Sequence, residues 1–245
     1  FKPESFEISF GRADSEIPAI EIEVEDNKIL KLNGVIDRVD KMLADDGKVY
    51  VKIVDYKSSS KSLDINKIYN GLQLQLVLYM NTLITDKNTE AGGMFYFKVS
   101  EPELINDGDN KNELSYEDFI LNRMALNGMY DESVTENLDS AKIEVLVRRK
   151  PVEILRDISL SDSTVLDKEE MNNLLDYSRD IVKNIGKEMA KGNIEISPYQ
   201  YGNENSCNFC PYGTVCDFKN SNGENMRNIE KRDEEIWEII NNKEK

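Results

Sequence analysis

Two aspartates and a lysine stand in predicted strands, at positions where apolar residues would suit a strand better. Asp37 lies in residues 34–40, and Asp55 and Lys57 lie in residues 53–58. Unpaired charges are expensive to bury, and neighbouring carboxylates repel each other unless a cation lies between them. Mg²⁺ and Mn²⁺ prefer oxygen ligands and retain several waters. The residue types therefore predict a hard divalent cation that could activate a water and polarise a scissile phosphate, with Lys57 stabilising the developing charge or orienting the water.

The hairpin between the two strands decides whether these side chains meet. Apolar residues occupy odd positions of the returning strand, so odd positions are expected to face the core. A three-residue loop at 45–47 keeps odd residues of both strands on one face and gives Gly47 the left-handed position of a bulged turn. In that register Asp37 lies opposite Asp55, with Lys57 further along the same face. A two-residue turn would place the aspartates on opposite faces.

A predicted helix at 64–84 carries two polar residues on one face. Gln75 and Tyr79 are four residues apart, and buried side chains of these types need hydrogen-bond partners. One interpretation is ordinary packing, with Lys57 in a salt bridge at a strand end. The other is that this helix face lies over the Asp/Lys group and helps to hold Lys57 or a nucleotide strand.

The order of elements predicts a mixed α/β core in one compact domain. Residues 1–198 are expected to form the core, with an insertion at about 101–139, and residues 199–245 a cysteine-rich tail and terminal helix. Further helices are expected at 115–127, at 167–191 after a capping box, and at 224–241. Strands are expected at 6–10, 19–25, 29–43 with a bend at Gly34, 48–57, 94–99 and 141–149.

Charge is unevenly distributed along this acidic chain. It has 31 basic and 47 acidic residues, a formal net charge of −16, and no histidine. Residues 31–61 hold seven Lys or Arg and five Asp, a net of +2. A free-standing DNA-binding domain is usually basic. The acidic surface either serves solubility alone or surrounds a neutral-to-basic site on a domain whose main grip on nucleic acid lies elsewhere. The absence of histidine excludes a Ser-His triad, and no apolar run reaches the ~20 residues that span a bilayer.

Three cysteines fall within ten residues, as Cys207-x2-Cys210-x5-Cys216. An odd number in one short segment argues against a secreted disulfide scaffold and for a metal centre in a reducing compartment, here the cytoplasm. Zinc and an iron–sulfur cluster both fit this spacing, and each requires four ligands. The chain begins at Phe1 and not at methionine. We therefore expect it to be a piece of a longer protein.

Three segments together resemble the RecB-family branch of the PD-(D/E)XK nucleases: Gly34-Val35-Ile36-Asp37, Asp55-Tyr56-Lys57, and Gln75 with Tyr79. The resemblance implies a restriction-endonuclease-like core, a mixed central sheet flanked by helices. It implies that Asp37, Asp55 and the backbone carbonyl of Tyr56 bind Mg²⁺ (or Mn²⁺). It makes Lys57 the catalytic lysine and gives Gln75 and Tyr79 supporting roles. A histidine ligand that is usual in this branch is absent here and is expected upstream of Phe1.

The cysteine segment resembles the tail of the cluster-containing members, in which a fourth cysteine lies well before the core. This implies that Cys207, Cys210 and Cys216 bind a 4Fe–4S cluster in the full-length protein, incomplete in this chain alone. Within the branch, the chain resembles the AddB family of helicase–nuclease subunits over nearly its whole length.

The AddB resemblance implies a Mg²⁺-dependent DNA exonuclease that hydrolyses an unwound strand with a metal-activated water. The reaction would have no covalent intermediate. It would serve the processing of double-strand breaks for recombination, with DNA as substrate, an AddA-like helicase partner and no membrane. Two alternatives stay open: an iron–sulfur exonuclease of the CRISPR-adaptation type, and an inactive nuclease fold kept as a DNA-binding scaffold.

Overall fold

A mixed sheet forms the centre of the molecule. The structure, a computed structural model, describes residues 1–24, 28–99, 126–138, 145–147, 150–152, 163–216, 218 and 226–242. The strands are β1 (Lys2–Phe10), β2 (Ile20–Glu23), β3 (Ile29–Leu32), β4 (Gly34–Leu43), β5 (Val49–Lys57), β6 (Thr89–Lys98), β7 (Asn127–Asp131), β8 (Val145–Val147), β9 (Lys150–Val152), β10 (Thr164–Leu166), β11 (Tyr199–Tyr201), β12 (Glu204–Asn205) and β13 (Arg227–Asn228). The α-helices are α1 (Ile65–Tyr69), α2 (Gln75–Leu83), α3 (Thr135–Leu138), α4 (Lys168–Ala190), α5 (Gly213–Cys216) and α6 (Asp233–Asn241), and Glu132–Val134 is a 3₁₀ turn.

Six of these strands form the central sheet, in the spatial order β1-β4-β5-β6-β7-β10. The pairs β5/β6 and β7/β10 are parallel, and the other neighbours are antiparallel. The expectation of a mixed sheet with helices is therefore confirmed. None of the helices in the described ranges combines the length and the hydropathy needed to span a membrane.

The predicted hairpin register is confirmed. Leu43 pairs with Val49, and the backbone N–H of Ala44 donates to the carbonyl of Lys48 at 2.9 Å. Gly47 closes the three-residue loop with φ of 82°, a conformation that glycine adopts at little cost. The ladder continues as far as Arg38 opposite Val54, immediately before the two aspartates.

Both faces of the sheet are covered, which corrects the simple odd-inward pattern. The first core contains Ile36, Val39, Val51 and Ile53 together with side chains of α2, α4 and α6. The second core is smaller and contains Phe95, Tyr130, Val134, Leu138 and Val165. Met42, at an even position, packs against this second core. Its apolar character therefore has a structural reason that the odd-inward pattern did not provide.

The predicted bend at Gly34 is confirmed, and it separates two sheets. β3 pairs with β2 in a small hairpin, whereas β4 enters the central sheet. A Cβ atom at Gly34 would lie 2.8 Å from the ring of Phe10 and 3.2 Å from the ring of Tyr79. Both distances are too short for an unshifted side chain, so the close approach of these two rings requires glycine here.

The single helix predicted at 64–84 is wrong, because the segment forms two helices. Gly71 adopts φ of 78° and interrupts the helical backbone between α1 and α2. The side chain of Gln73 fills the connection: it accepts from the N–H of Asp64 at 2.9 Å and donates to the carbonyl of Ser62 at 3.1 Å. The apolar spacing runs on across this break, so periodicity did not reveal it.

Other boundaries also differ from prediction. The predicted strand at 94–99 begins at Thr89, and its pairing with β5 shifts register at Gly92. Asn127 begins a strand of the central sheet and does not end a helix, although residues 115–125 of that predicted helix lie outside the described residues. The terminal helix begins at Asp233 and not at 224. Helix α4 agrees with prediction, capping box included.

Candidate active site

Asp55 and Lys57 lie at the end of β5, between β4 and β6 in the central sheet. Asp55 is only 1% exposed, and its Oδ2 lies 2.5 Å from Nζ of Lys57. Burial raises the pKa of Asp55, and the negative charge of Asp37 raises it further against the opposing effect of Lys57. Asp55 is therefore a buried carboxylate whose cationic partner Lys57 does not fully offset the loss of water and the charge of Asp37.

Asp37 reaches the same place from β4. Its Oδ2 accepts a hydrogen bond of 2.9 Å from the backbone N–H of Tyr56, the residue between Asp55 and Lys57. The two aspartates are thus next to each other, just beyond the last ladder pair of β4 and β5.

The strand around Asp37 is irregular, and this irregularity aims its side chain. Ile36 and Val39 both pack in the first core although they are three residues apart, so the alternation of faces is interrupted between them. On the neighbouring strand, Glu7 lies between the pairs Phe6–Arg38 and Ile8–Ile36 and adopts φ of 51°. A non-glycine residue in the left-handed region is uncommon, and such distortions concentrate at functional sites.

Gln75 connects the two functional groups of β5. Its Nε2 donates to Oδ1 of Asp55 at 2.9 Å and lies 3.2 Å from the hydroxyl of Tyr79, and its Oε1 accepts from Nζ of Lys57 at 3.4 Å. The ring of Tyr79 packs edge-on against Phe10 with centroids 5.6 Å apart. The structure therefore brings all five predicted side chains together: Asp37, Asp55, Lys57, Gln75 and Tyr79.

Tyr96 belongs to this group and was not predicted. It pairs with Asp55 across the parallel β5/β6 ladder and is 2% exposed, and its hydroxyl has no hydrogen-bond partner among the described residues. Burial and the charge of Asp55 raise the pKa of Tyr96 to about 12. The sequence indicated a strand here, but it carried no signal for the register of a parallel pair, which no short hairpin fixes.

The two aspartates suit a hard divalent cation better than a larger all-protein cage. No three His, Cys, Asp or Glu side chains converge as a metal site in the part of the chain that the structure describes. Because Mg²⁺ retains several waters and needs few protein carboxylates, a pair of aspartates fits it. The buried Oδ2 of Asp55 lies against Lys57 and accepts no hydrogen bond from the described residues. It is an oxygen that such a cation could engage.

A comparison with protein families decides the assignment. The model of the PD-(D/E)XK nuclease superfamily matches residues 1–217. The chain belongs to the PD-(D/E)XK nuclease superfamily. This agrees with the mixed sheet and with the Asp37, Asp55 and Lys57 group described above.

Individual relatives agree with the superfamily. The chain is 36% identical to the B-type subunit of the ATP-dependent helicase/deoxyribonuclease (AddB) of Clostridium botulinum (strain Hall), and the match covers 99% of this chain and 22% of that protein. Proteins of the same name from Clostridium novyi and Caldanaerobacter subterraneus are 34% and 33% identical. The chain spans about a fifth of the length of these relatives.

The structure does not confirm the cysteine tail of this nuclease domain as a cluster site. Cys207 and Cys216 are half-buried and Cys210 is exposed, and all three are free thiols. Within the described ranges, they do not form a three-ligand metal group with one another or with acidic side chains. Their backbone follows local turns, in which the N–H of Cys210 donates to the carbonyl of Cys207. Three thiols are one short of four ligands, so an iron–sulfur role for them stays a prediction.

Proposed function

We propose that this chain is the nuclease domain of an AddB-type subunit in an ATP-dependent helicase/deoxyribonuclease, and that it hydrolyses phosphodiester bonds of an unwound DNA strand. The hydrogen-bonded group of Asp55, Lys57 and Gln75, with Asp37 beside it, is the observation that carries the proposal. The superfamily match supports the chemistry, and the names of the relatives support the substrate and the setting.

Asp37, Asp55 and the backbone carbonyl of Tyr56 would hold Mg²⁺ or Mn²⁺. When bound, such a cation polarises the scissile phosphate and lowers the pKa of a water. The residues of the chain position the reactants around it. Gln75 fixes the carboxylate of Asp55, and the hydroxyl of Tyr79 lies within hydrogen-bond distance of the Gln75 amide.

Lys57 is the charge that the chain itself brings to the phosphate. Its ammonium is held between Asp55 Oδ2 and Gln75 Oε1, and its side chain is 26% exposed. It therefore faces solvent enough to contact a phosphate oxygen while two neighbours restrict its position. In this place Lys57 stabilises negative charge that develops on the phosphate during hydrolysis. No residue of the group needs to form a covalent intermediate.

The wider setting follows from the relatives and is part of the proposal. A helicase of the AddA type would deliver the unwound strand, and the complex would process double-strand breaks in the cytoplasm. Residues 1–198 and 199–245 would form one nuclease domain. Cys207, Cys210 and Cys216 would provide three of four ligands of a 4Fe–4S cluster whose fourth cysteine lies elsewhere in the full-length protein.

Lys57→Ala in the full-length protein, assembled with its helicase partner, tests this function. We expect DNA cleavage attributable to this protein to fall by at least about 100-fold, because preorganised charge stabilisation of this kind contributes that much. DNA unwinding should be unchanged, which shows that the complex is intact. Cleavage by this protein at the wild-type rate would contradict the proposal.

A further inference from the structure

Lys61 lies beside the proposed active site, in the segment between β5 and α1. Its Nζ is 4.8 Å from the centroid of the Tyr96 ring, and Nζ of Lys57 is 5.6 Å from the same ring. Tyr96 itself pairs with Asp55 across the sheet. Two ammonium groups therefore converge on one buried ring next to the carboxylate of Asp55.

The charges of residues 31–61 distinguish Lys61 from the other basic residues of that segment. Six of the seven lie within ion-pair distance of a carboxylate: Lys31, Arg38, Lys41, Lys48, Lys52 and Lys57. Within the described ranges, Lys61 has no such partner, although the chain has 47 acidic and 31 basic residues. Partial burial and the charge of Lys57 lower the pKa of Lys61, so the two ammonium groups are close enough to repel each other.

The chain that follows Lys61 is held in place. The carbonyl of Ser62 accepts from the side chain of Gln73 at 3.1 Å, and the N–H of Leu63 donates to Oδ1 of Asn127 at 3.1 Å. The side chain of Leu63 is buried. Lys61 is therefore presented by a backbone that is anchored to β7 and to the connection between α1 and α2, while its own side chain is exposed.

An anion bound next to both lysines would relieve their repulsion. We infer that Lys61 binds a backbone phosphate of the DNA strand, next to the phosphate that Lys57 contacts, and so positions the strand for cleavage. The inference rests on the proposed nuclease function and adds a residue to it. A lysine acts as a point charge toward phosphate oxygens, so the contact is independent of base sequence.

Lys61→Gln in the full-length protein with its helicase partner tests this role, because glutamine removes the charge and keeps part of the stem over Tyr96. Lys231→Gln is the matched control: Nζ of Lys231 lies 5.8 Å from the ring of Tyr69, away from the site. Steady-state cleavage of a single-stranded oligonucleotide is measured over a range of salt concentrations. Thermal unfolding of each variant shows whether its fold is retained.

For Lys61→Gln we expect KM to rise about tenfold with kcat nearly unchanged, because one charged hydrogen bond is lost. The slope of log(kcat/KM) against log(salt) should become shallower by about 0.7 for a single strand. Lys61→Arg should restore both values, and Lys231→Gln should match the wild type. Variants that differ only in thermal unfolding, or a lower kcat at unchanged KM and salt slope, would contradict the inference.

Two further results separate its failure from that of the proposed function. If Lys57→Ala abolishes cleavage but Lys61→Gln behaves like Lys231→Gln, the role of Lys61 is wrong and the nuclease function stands. If cleavage by this protein survives Lys57→Ala, the proposed function fails, and the inference fails with it.

Discussion

Gln75 is the residue on which the geometry of the site depends most. Its amide binds Asp55 through the nitrogen and Lys57 through the oxygen, so one side chain fixes both the carboxylate and the ammonium group. It also lies at the start of α2, where its position follows from the helix and not from a flexible loop. A change at Gln75 should therefore affect catalysis far more than stability.

Gln75→Leu tests this dependence. Leucine has a similar size but offers no hydrogen bond, so Asp55 and Lys57 lose the group that orients them. We expect DNA cleavage to fall about 10–100-fold, the range seen when residues that orient metal ligands are lost. The temperature of unfolding should change little, and Leu78→Ala on the same helix is a control for packing. A cleavage rate equal to that of the wild type would show that Gln75 does not position the site.

Gly34 offers a second test at this scale. An alanine there would press its Cβ against the rings of Phe10 and Tyr79. We expect Gly34→Ala to lower the free energy of unfolding by about 1–3 kcal/mol, as overpacking does, and to reduce cleavage through the displaced Tyr79. Gly213→Ala is the matched control, since a Cβ at Gly213 meets no atom within 4 Å. Equal stability of the two variants in chemical denaturation would contradict this packing.

Residue types and spacing predicted five residues of the site, and they missed Tyr96 and Lys61. The hairpin of β4 and β5 could be registered from its loop, so Asp37, Asp55 and Lys57 could be placed together. The β5/β6 pair is parallel and connected through two helices, so nothing local fixed Tyr96 opposite Asp55. Lys61 had been counted only as one charge of a weakly basic segment.

At the scale of the element, β4 carries a catalytic aspartate and a structural one. Beyond Asp37, the even positions Arg38 and Asp40 form an ion pair in which Asp40 is 1% exposed. Arg38 donates to Asp40 at 2.6 and 2.9 Å, and Nζ of Lys52 lies 3.0 Å from it. Burial alone would raise the pKa of Asp40, but the hydrogen bonds of Arg38 and the charge of Lys52 outweigh it and hold the pKa below its ordinary value.

Asp40→Asn should therefore destabilise the fold in a pH-dependent way. The pKa of Asp40 is lower in the folded state, so its contribution is present above the ordinary value of 3.8 and is lost as the pH falls through the folded value. At pH 7 we expect a loss of about 3–5 kcal/mol in the free energy of unfolding, because Lys52 stays buried without its partner. The difference from the wild type should narrow below about pH 4, as the carboxyl of the wild type takes up a proton.

Urea unfolding of both proteins at several pH values measures this difference. Asp45→Asn, in the exposed hairpin loop, is the control for a change of one charge. A difference between wild type and Asp40→Asn that stays constant down to pH 3 would contradict the account of this cluster. Nothing in the residue pattern separated Asp40 from Asp37, since both are aspartates of one predicted strand.

At the scale of the whole molecule, the terminal helix is part of the nuclease core. Ile236, Trp237 and Ile240 of α6 lie in the first core, together with residues of β4 and β5. The side chain of Asn66 in α1 donates to the carbonyl of Lys231 at 2.7 Å and accepts from its N–H at 2.9 Å. The apolar stripe of this helix was predictable from sequence, but its partner elements were not, because they lie far apart along the chain.

Two adjacent isoleucines of α6 test this packing. Ile240 is 1% exposed and Ile239 is 41% exposed. Truncation of a buried isoleucine leaves a cavity, so Ile240→Ala should lower the free energy of unfolding by about 2–5 kcal/mol. Ile239→Ala should change it by less than about 1 kcal/mol. Similar losses in the two variants during chemical denaturation would show that α6 does not pack as described.

The central claim is that Asp37 and Asp55 share one divalent cation next to Lys57. Direct binding of Mn²⁺, followed by electron paramagnetic resonance on the full-length protein without DNA, tests it without relying on activity. Asp37→Asn and Asp55→Asn should each weaken binding by at least about tenfold, since each removes one of two charged ligands. Asp45→Asn, outside the site, should bind Mn²⁺ as the wild type does. Equal Mn²⁺ affinity in the wild type, Asp37→Asn and Asp55→Asn would contradict the claim.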